Sequence, residues 1–164
     1  MSSAEQYIKT EHPVIDSDPH FNRVVGYMRA SDLATWGAAT AAAPAILLGL
    51  ERLRPGAGPK GINLALKVAT GLGFMGGFLL AYQNSSLRFW GWSENAREQE
   101  MNRDEMAKRV AAGLPVYGEP TMDEASQAAA ARNSKYAAIK FSAIPWFNTT
   151  NHKYHLSEST PNDK

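Results

Sequence analysis

The sequence predicts a mainly α-helical fold: a membrane helical hairpin of two transmembrane helices, with extended and helical polar arms and no independent globular domain. Three observations predict it. Charge is absent from Leu33 to Leu50 and again from Val68 to Leu87, and each stretch approaches the ~20 residues that an α-helix needs to cross the ~30 Å hydrocarbon layer. A short basic turn, Glu51-Arg52-Leu53-Arg54-Pro55-Gly56-Ala57-Gly58-Pro59-Lys60, separates them. Trp36, Tyr82, Phe89, Trp90 and Trp92 sit near the ends of the two stretches, where amphipathic rings settle at a lipid–water boundary. The expected organisation is a polar N-terminal arm over residues 1–30 and the hairpin over 31–90, with its turn at 51–60. A C-terminal arm over 91–164 carries two short helices and an aromatic-rich extended tail. A soluble helical pair with Ala/Gly-rich packing faces is the competing fold, because alanine and glycine replace much of the usual leucine.

The N-terminal arm holds Glu5, Glu11, Asp16 and Asp18 against Lys9 in its first twenty residues. A mitochondrial transit peptide is basic and poor in acidic residues, and a secretory signal needs an early apolar stretch. Neither pattern is present, so any organellar targeting is expected to be internal. Asp16-Ser17-Asp18-Pro19 is a turn sequence, since aspartate side chains bond to the backbone two residues on.

The first helix, Leu33–Leu50, contains Pro44, which removes one backbone donor. The second is expected from about Ile62 to Tyr82, with Lys67 close enough to its start for the stem to run along the apolar surface to water. Small residues recur at every fourth position on both helices: Gly37, Ala41, Ala45 and Gly49 on the first, and Ala69, Gly73, Gly77 and Ala81 on the second. Residues four apart share a helix face, so each helix carries a groove of nearly bare backbone. In lipid such grooves allow close approach and dispersion contact. They suit an intramolecular hairpin, and equally docking on helices of a larger membrane protein. Basic density is highest in the turn, which weakly favours the turn on the negative side of the membrane and both termini opposite.

In the C-terminal arm, Ser93–Ala112 has high helix propensity, with Asn95 and Glu98 spaced as a capping pair. Gly113 and Pro115 end it. Leu114–Pro120 is expected to be extended, and Thr121 with Glu124 to cap an alanine-rich helix reaching about Asn133. Lys135–Leu156 is dense in aromatics and is expected to lie along another protein or a membrane surface.

Composition narrows the chemistry. The 164 residues carry a net charge of +1 and no cysteine. That leaves no pull toward nucleic acid, no disulfide, no thiolate nucleophile and no cysteine-held iron–sulfur cluster. Asp16, Asp18 and His20 form a D-x-D-x-H pattern, and His152 with His155 an H-x-x-H pair. A metal site needs three or four convergent ligands with a supporting shell, and neither pattern supplies them locally. No phosphate loop or nucleophile elbow occurs. No catalytic, cofactor-binding or metal-binding residue is therefore assigned, no small-molecule substrate is implied, and the residues singled out are the eight small positions of the two helix faces.

The run Tyr7-Ile8-Lys9-Thr10-Glu11-His12-Pro13-Val14-Ile15-Asp16-Ser17-Asp18-Pro19-His20-Phe21, continuing through Val24-Val25-Gly26-Tyr27-Met28-Arg29-Ala30-Ser31-Asp32, resembles a fungal family: the 21-kDa-type accessory subunit of mitochondrial NADH:ubiquinone oxidoreductase, respiratory complex I. The resemblance extends through the hairpin and resumes at Lys135–His155, including Ile144-Pro145-Trp146-Phe147-Asn148. It implies a supernumerary subunit of the membrane arm, multi-pass in the inner mitochondrial membrane. Such a subunit carries no flavin, cluster or quinone chemistry and packs against other complex I membrane-arm subunits and membrane lipid. Two other classes compete with this reading. One is a free-standing membrane adaptor or import-type hairpin associating through its small-residue faces. The other is a metal or enzymatic role for Asp16, Asp18, His20, His152 or His155.

Overall fold

The computed structural model describes residues 10–56, 58–135 and 147–155. Residues 136–146 and 156–164, which hold most of the expected aromatic tail, lie outside the described residues, as do Ala57 of the turn and residues 1–9. The described residues are helical or irregular, with no strand among them. The helices run in chain order as α1 (Phe21–Gly26), α2 (Ala30–Leu53), α3 (Pro59–Phe89), α4 (Ala96–Ala111) and α5 (Glu124–Ser134). The chain divides into two compact units, Val25–Ser85 and the two arms, Met1–Val24 with Ser86–Lys164.

The unit Val25–Ser85 contains α2 and most of α3. With a rise of about 1.5 Å per residue, the 24 residues of α2 span about 36 Å and the 31 of α3 about 46 Å. Both are long and apolar enough to cross a membrane by length and composition. At the start of α2 the Asp32 carboxylate accepts the Arg29 backbone N–H at 2.7 Å, which also sets a negative charge at the positive end of the helix dipole. The helix continues through Pro44. Helix α3 opens on a proline, where the missing N–H would have had no intrahelical acceptor. It runs past the expected end at Tyr82 to Phe89, because nothing between Val68 and Leu87 breaks the helix and Ser85 and Ser86 are buried.

The arms form no separate globular domain with an apolar interior of its own. Their buried apolar residues are few, among them Val14, Ile15, Val24, Phe89 and Trp90, and buried polar side chains outnumber them. Residues 12–16 satisfy the carbonyls that the end of α3 leaves open. The N–H groups of Ile15 and Asp16 donate to Phe89 O at 2.9 and 3.2 Å, and that of His12 to Gly91 O at 3.0 Å. Gly91 has φ +72°, and a Cβ there would lie 2.2 Å from His12 O, so only glycine fits. Trp92 N–H closes the helix end on Leu87 O at 2.9 Å.

Three local expectations are corrected here. The Asn95 side chain does not cap α4: its Nδ2 donates to Pro13 O and Arg88 O at 2.8 Å each, and Glu98 is buried beside Arg88. Glu94 takes the open donor, accepting Ala96 N–H at 2.8 Å. The cap of α5 is Asp123, not Thr121; its carboxylate accepts Ser126 N–H at 3.3 Å. Leu114–Pro120 is not extended, for Gly118 N–H bonds to Pro115 O at 3.2 Å in a turn that ends with Gly118 at φ +82°.

Candidate functional site

Two arrangements carry side-chain specificity, one in each unit. In the hairpin, α3 lays Gly73 and Gly77 against α2. An added Cβ at Gly77 would lie 2.7 Å from Trp36 O and 2.9 Å from Trp36 Cδ1. At Gly73 it would lie 2.9 Å from both Ala39 O and Ala43 Cβ, and 3.1 Å from Thr40 O. The Gly73 backbone therefore packs against the Ala39 and Thr40 carbonyls of α2, the second being the one whose helical donor Pro44 lacks. Trp36 closes the same contact from above. Its indole N–H donates to Phe74 O at 2.9 Å, and its ring meets Phe74 and Phe78 at centroid distances of 5.0 and 5.2 Å. Thr40 and Thr70 return their hydroxyls to Trp36 O and Leu66 O at 2.8 Å each, which leaves no bare donor there.

The eight small positions are thus not equivalent. Gly77 and Ala81 are buried and Ala69 and Gly73 half-buried, whereas Gly37, Ala41, Ala45 and Gly49 are all exposed. A Cβ at Gly37 or Gly49 would meet nothing within 4 Å. The α2 face that meets α3 is Trp36, Ala39, Thr40 and Ala43, one or two positions away from the α2 ladder.

In the arms, the two aspartates and the two distant histidines come together as hydrogen-bonded pairs. His152 Nε2–H donates to Asp18 Oδ2 at 2.8 Å while its Nδ1 accepts Tyr154 N–H at 3.2 Å, so both ring nitrogens are used. His155 Nδ1–H donates to Asp16 Oδ1 at 2.7 Å. The imidazoles stack on each other at 4.5 Å, and Tyr117 stacks on His155 at 3.9 Å. Asp18 Oδ2 also accepts the Ser134 hydroxyl from α5, and Asn148 Nδ2 donates to Asp18 O at 2.9 Å. Asp16 accepts Arg23 at 3.0 Å, and Arg23 extends the network to Glu105 at 3.2 Å and Asn102 at 2.5 Å on α4. The Asx turn expected at Asp16 forms through Asp18 N–H at 3.0 Å. Among the described residues no three His, Asp or Glu side chains converge to hold a metal ion; the carboxylates and imidazoles face each other instead.

Arg23, Asn102 and Ser134 went unmarked in the sequence. No local pattern signals the Arg23–Glu105, Arg23–Asn102 and Ser134–Asp18 contacts, because they join residues far apart in the chain.

The family described as NADH-ubiquinone oxidoreductase complex I, 21 kDa subunit, matches residues 9–94, and its C-terminal counterpart matches residues 103–159. The chain is also similar to the NADH-ubiquinone oxidoreductase 20.9 kDa subunit of Neurospora crassa. The two are 48% identical over 149 residues, covering 90% of this chain and 79% of the relative. With one match spanning the N-terminal arm and both apolar helices, and the other spanning the C-terminal arm, this chain belongs to the family of the 21 kDa subunit of NADH-ubiquinone oxidoreductase complex I.

Proposed function

We propose that this chain is a non-catalytic accessory subunit of the membrane arm of mitochondrial respiratory complex I. In this reading it crosses the inner membrane twice through α2 and α3 and supports assembly and stability through helix packing and arm contacts. The observation that carries the proposal is the family match along the hairpin and both arms, with 48% identity to a complex I subunit. The eight small positions divide into two tasks. The α3 ladder of Ala69, Gly73, Gly77 and Ala81 closes the hairpin. The α2 ladder of Gly37, Ala41, Ala45 and Gly49, exposed within this chain, receives a helix of a neighbouring membrane-arm subunit, because bare backbone allows close approach where lipid gives no hydrophobic drive. Membrane lipid covers the remaining apolar surface, and the polar arms reach subunit surfaces outside the bilayer.

Native electrophoresis of mitochondrial membranes in mild detergent, with mass spectrometry of each band, tests the assignment. Stoichiometric co-migration with NADH-dehydrogenase activity is the expected result. Migration as a small species absent from the active complex would overturn it and favour a free-standing hairpin that self-associates through the exposed α2 ladder.

A further inference from the structure

The turn end of the hairpin carries charge that the chain itself does not balance. Arg52, Arg54, Lys60 and Lys67 are all exposed, and none makes an ion pair or hydrogen bond through its side chain among the described residues. Between Asp32 and Glu94 the sequence holds one carboxylate, Glu51, and it accepts Gly56 N–H at 3.0 Å within the turn. These five residues give the turn end a net +3 in a chain whose total is +1.

Helix geometry sets the depth of each charge. The stretch Val68–Leu87 holds no charge and rises about 30 Å, the thickness of the hydrocarbon layer. Lys67 then stands at the boundary of that layer. Lys60, seven residues earlier on the same face, lies about 10 Å further out, with exposed Asn63 between them. Apolar surface adjoins the cations: Leu64 and Val68 are 65% and 53% exposed, and Leu53, at the end of α2, is 83% exposed. A ligand that matches both surfaces joins an anionic head to an apolar tail. A carboxylate on a neighbouring helix at the depth of Lys67 would have to leave water, whereas a phospholipid phosphate already lies at that level.

We propose that the turn end of the hairpin binds the headgroup of an anionic phospholipid. Arg52, Arg54 and Lys60 meet it from the headgroup layer, and Lys67 reaches it along its own aliphatic stem. The arginines add charge-assisted hydrogen bonds to the phosphate oxygens, and the acyl chains lie against Leu64 and Val68. The proposal rests on the reading that α2 and α3 cross the membrane.

The full chain is reconstituted in phosphatidylcholine bilayers holding a trace of spin-labelled phosphatidylglycerol or, in parallel, of spin-labelled phosphatidylcholine. The motionally restricted fraction of the electron spin resonance spectrum measures the lipid held at the protein. Preference for phosphatidylglycerol by about tenfold or more, weakened by salt, is the expected result. Lys67→Met keeps the stem and removes the charge, and is expected to lower that preference by roughly fivefold. Lys108→Gln removes an exposed charge on α4 and should leave it unchanged. Equal restriction of both lipids would overturn the headgroup site while leaving the spanning hairpin in place. No restricted lipid of either kind would overturn the spanning reading and the site with it. A preference that Lys67→Met retains in full, or that Lys108→Gln lowers as much, would also overturn the site. So would a Lys67→Met variant that keeps its lipid preference but fails to join the large complex, since the cations would then face a carboxylate of a neighbouring subunit.

Discussion

Arg23 joins several parts of the arm unit. It donates to Asp16, Glu105 and Asn102 while its guanidinium lies 5.5 Å from the centre of the Phe89 ring. Asp16 is 1% exposed, so replacing Arg23 leaves a buried carboxylate without its counter-charge. Arg23→Met is therefore expected to destabilise the arms by about 3–5 kcal/mol, measured by chemical denaturation in detergent. Arg23→Lys is expected to rescue little, since an ammonium cannot serve three acceptors in the planar fork geometry. Glu124 and Lys153 behave differently, because both are exposed. The hydrogen bond from Lys153, and then its charge, holds the Glu124 carboxyl below its ordinary 4.5. The same bond and charge hold the Lys153 ammonium above 10.5. The Glu124 contribution is present above 4.5 and fades as pH falls through its lowered value, while that of Lys153 is present below 10.5 and fades as pH rises through its raised value. The contact is thus expected to be insensitive to pH between those limits. Lys153→Gln should return the Glu124 carboxyl toward its ordinary range in an NMR titration.

The helices set a second scale, at which the hairpin's two small-residue faces separate experimentally. Gly77→Ala forces a Cβ into the Trp36 carbonyl and ring, and α2 must move to admit it. Loss of about 1–3 kcal/mol of hairpin stability is expected, read from Trp36 fluorescence during denaturation. Gly73→Leu and Gly77→Leu should abolish the close contact altogether. Gly37→Ala and Gly49→Ala meet open space, so the isolated hairpin should keep its stability. Reduced incorporation into the large complex in these two variants alone would assign the α2 face to a neighbouring subunit, and unchanged incorporation would remove it from the interface. In α5 the cap is one side chain, and Asp123→Ala is expected to speed hydrogen exchange of the first-turn amides, Ser126 above all.

Across the whole molecule, the C-terminal arm returns to the N-terminal one. Truncation after Asn133 removes Ser134, Asn148, His152 and His155 together, and leaves Asp16 and Asp18 without four of their partners. The shortened chain is expected to stay in the membrane through α2 and α3, to be cleaved faster in residues 10–24 under limited proteolysis, and to detach from the complex in native electrophoresis. Full retention with unchanged proteolysis would show that the returning segment is not needed to hold the arms.

What can be read in the sequence follows how local each cause is. The two apolar helices are legible because charge-free length is a property of consecutive residues, and the bends at Asp16 and Gly113 because their bonds close within a few positions. Capping already fails locally. Asn95 has the right residue type, but Pro13 O and Arg88 O claim its amide, and these acceptors are positioned only by the fold. The face of α2 that meets α3 was not legible either, since Trp36, Ala39, Thr40 and Ala43 form the contact and the four-residue α2 ladder does not. The sequence by itself determined two spanning-length helices, polar arms and a family resemblance that similarity along most of the chain supports. Only the tertiary structure decided that the D-x-D and H-x-x-H patterns meet as two carboxylate–imidazole pairs across separations of 134 and 139 residues. The physical reason is that a buried carboxylate must find a donor wherever the folded chain brings one, and no local pattern encodes where that will be.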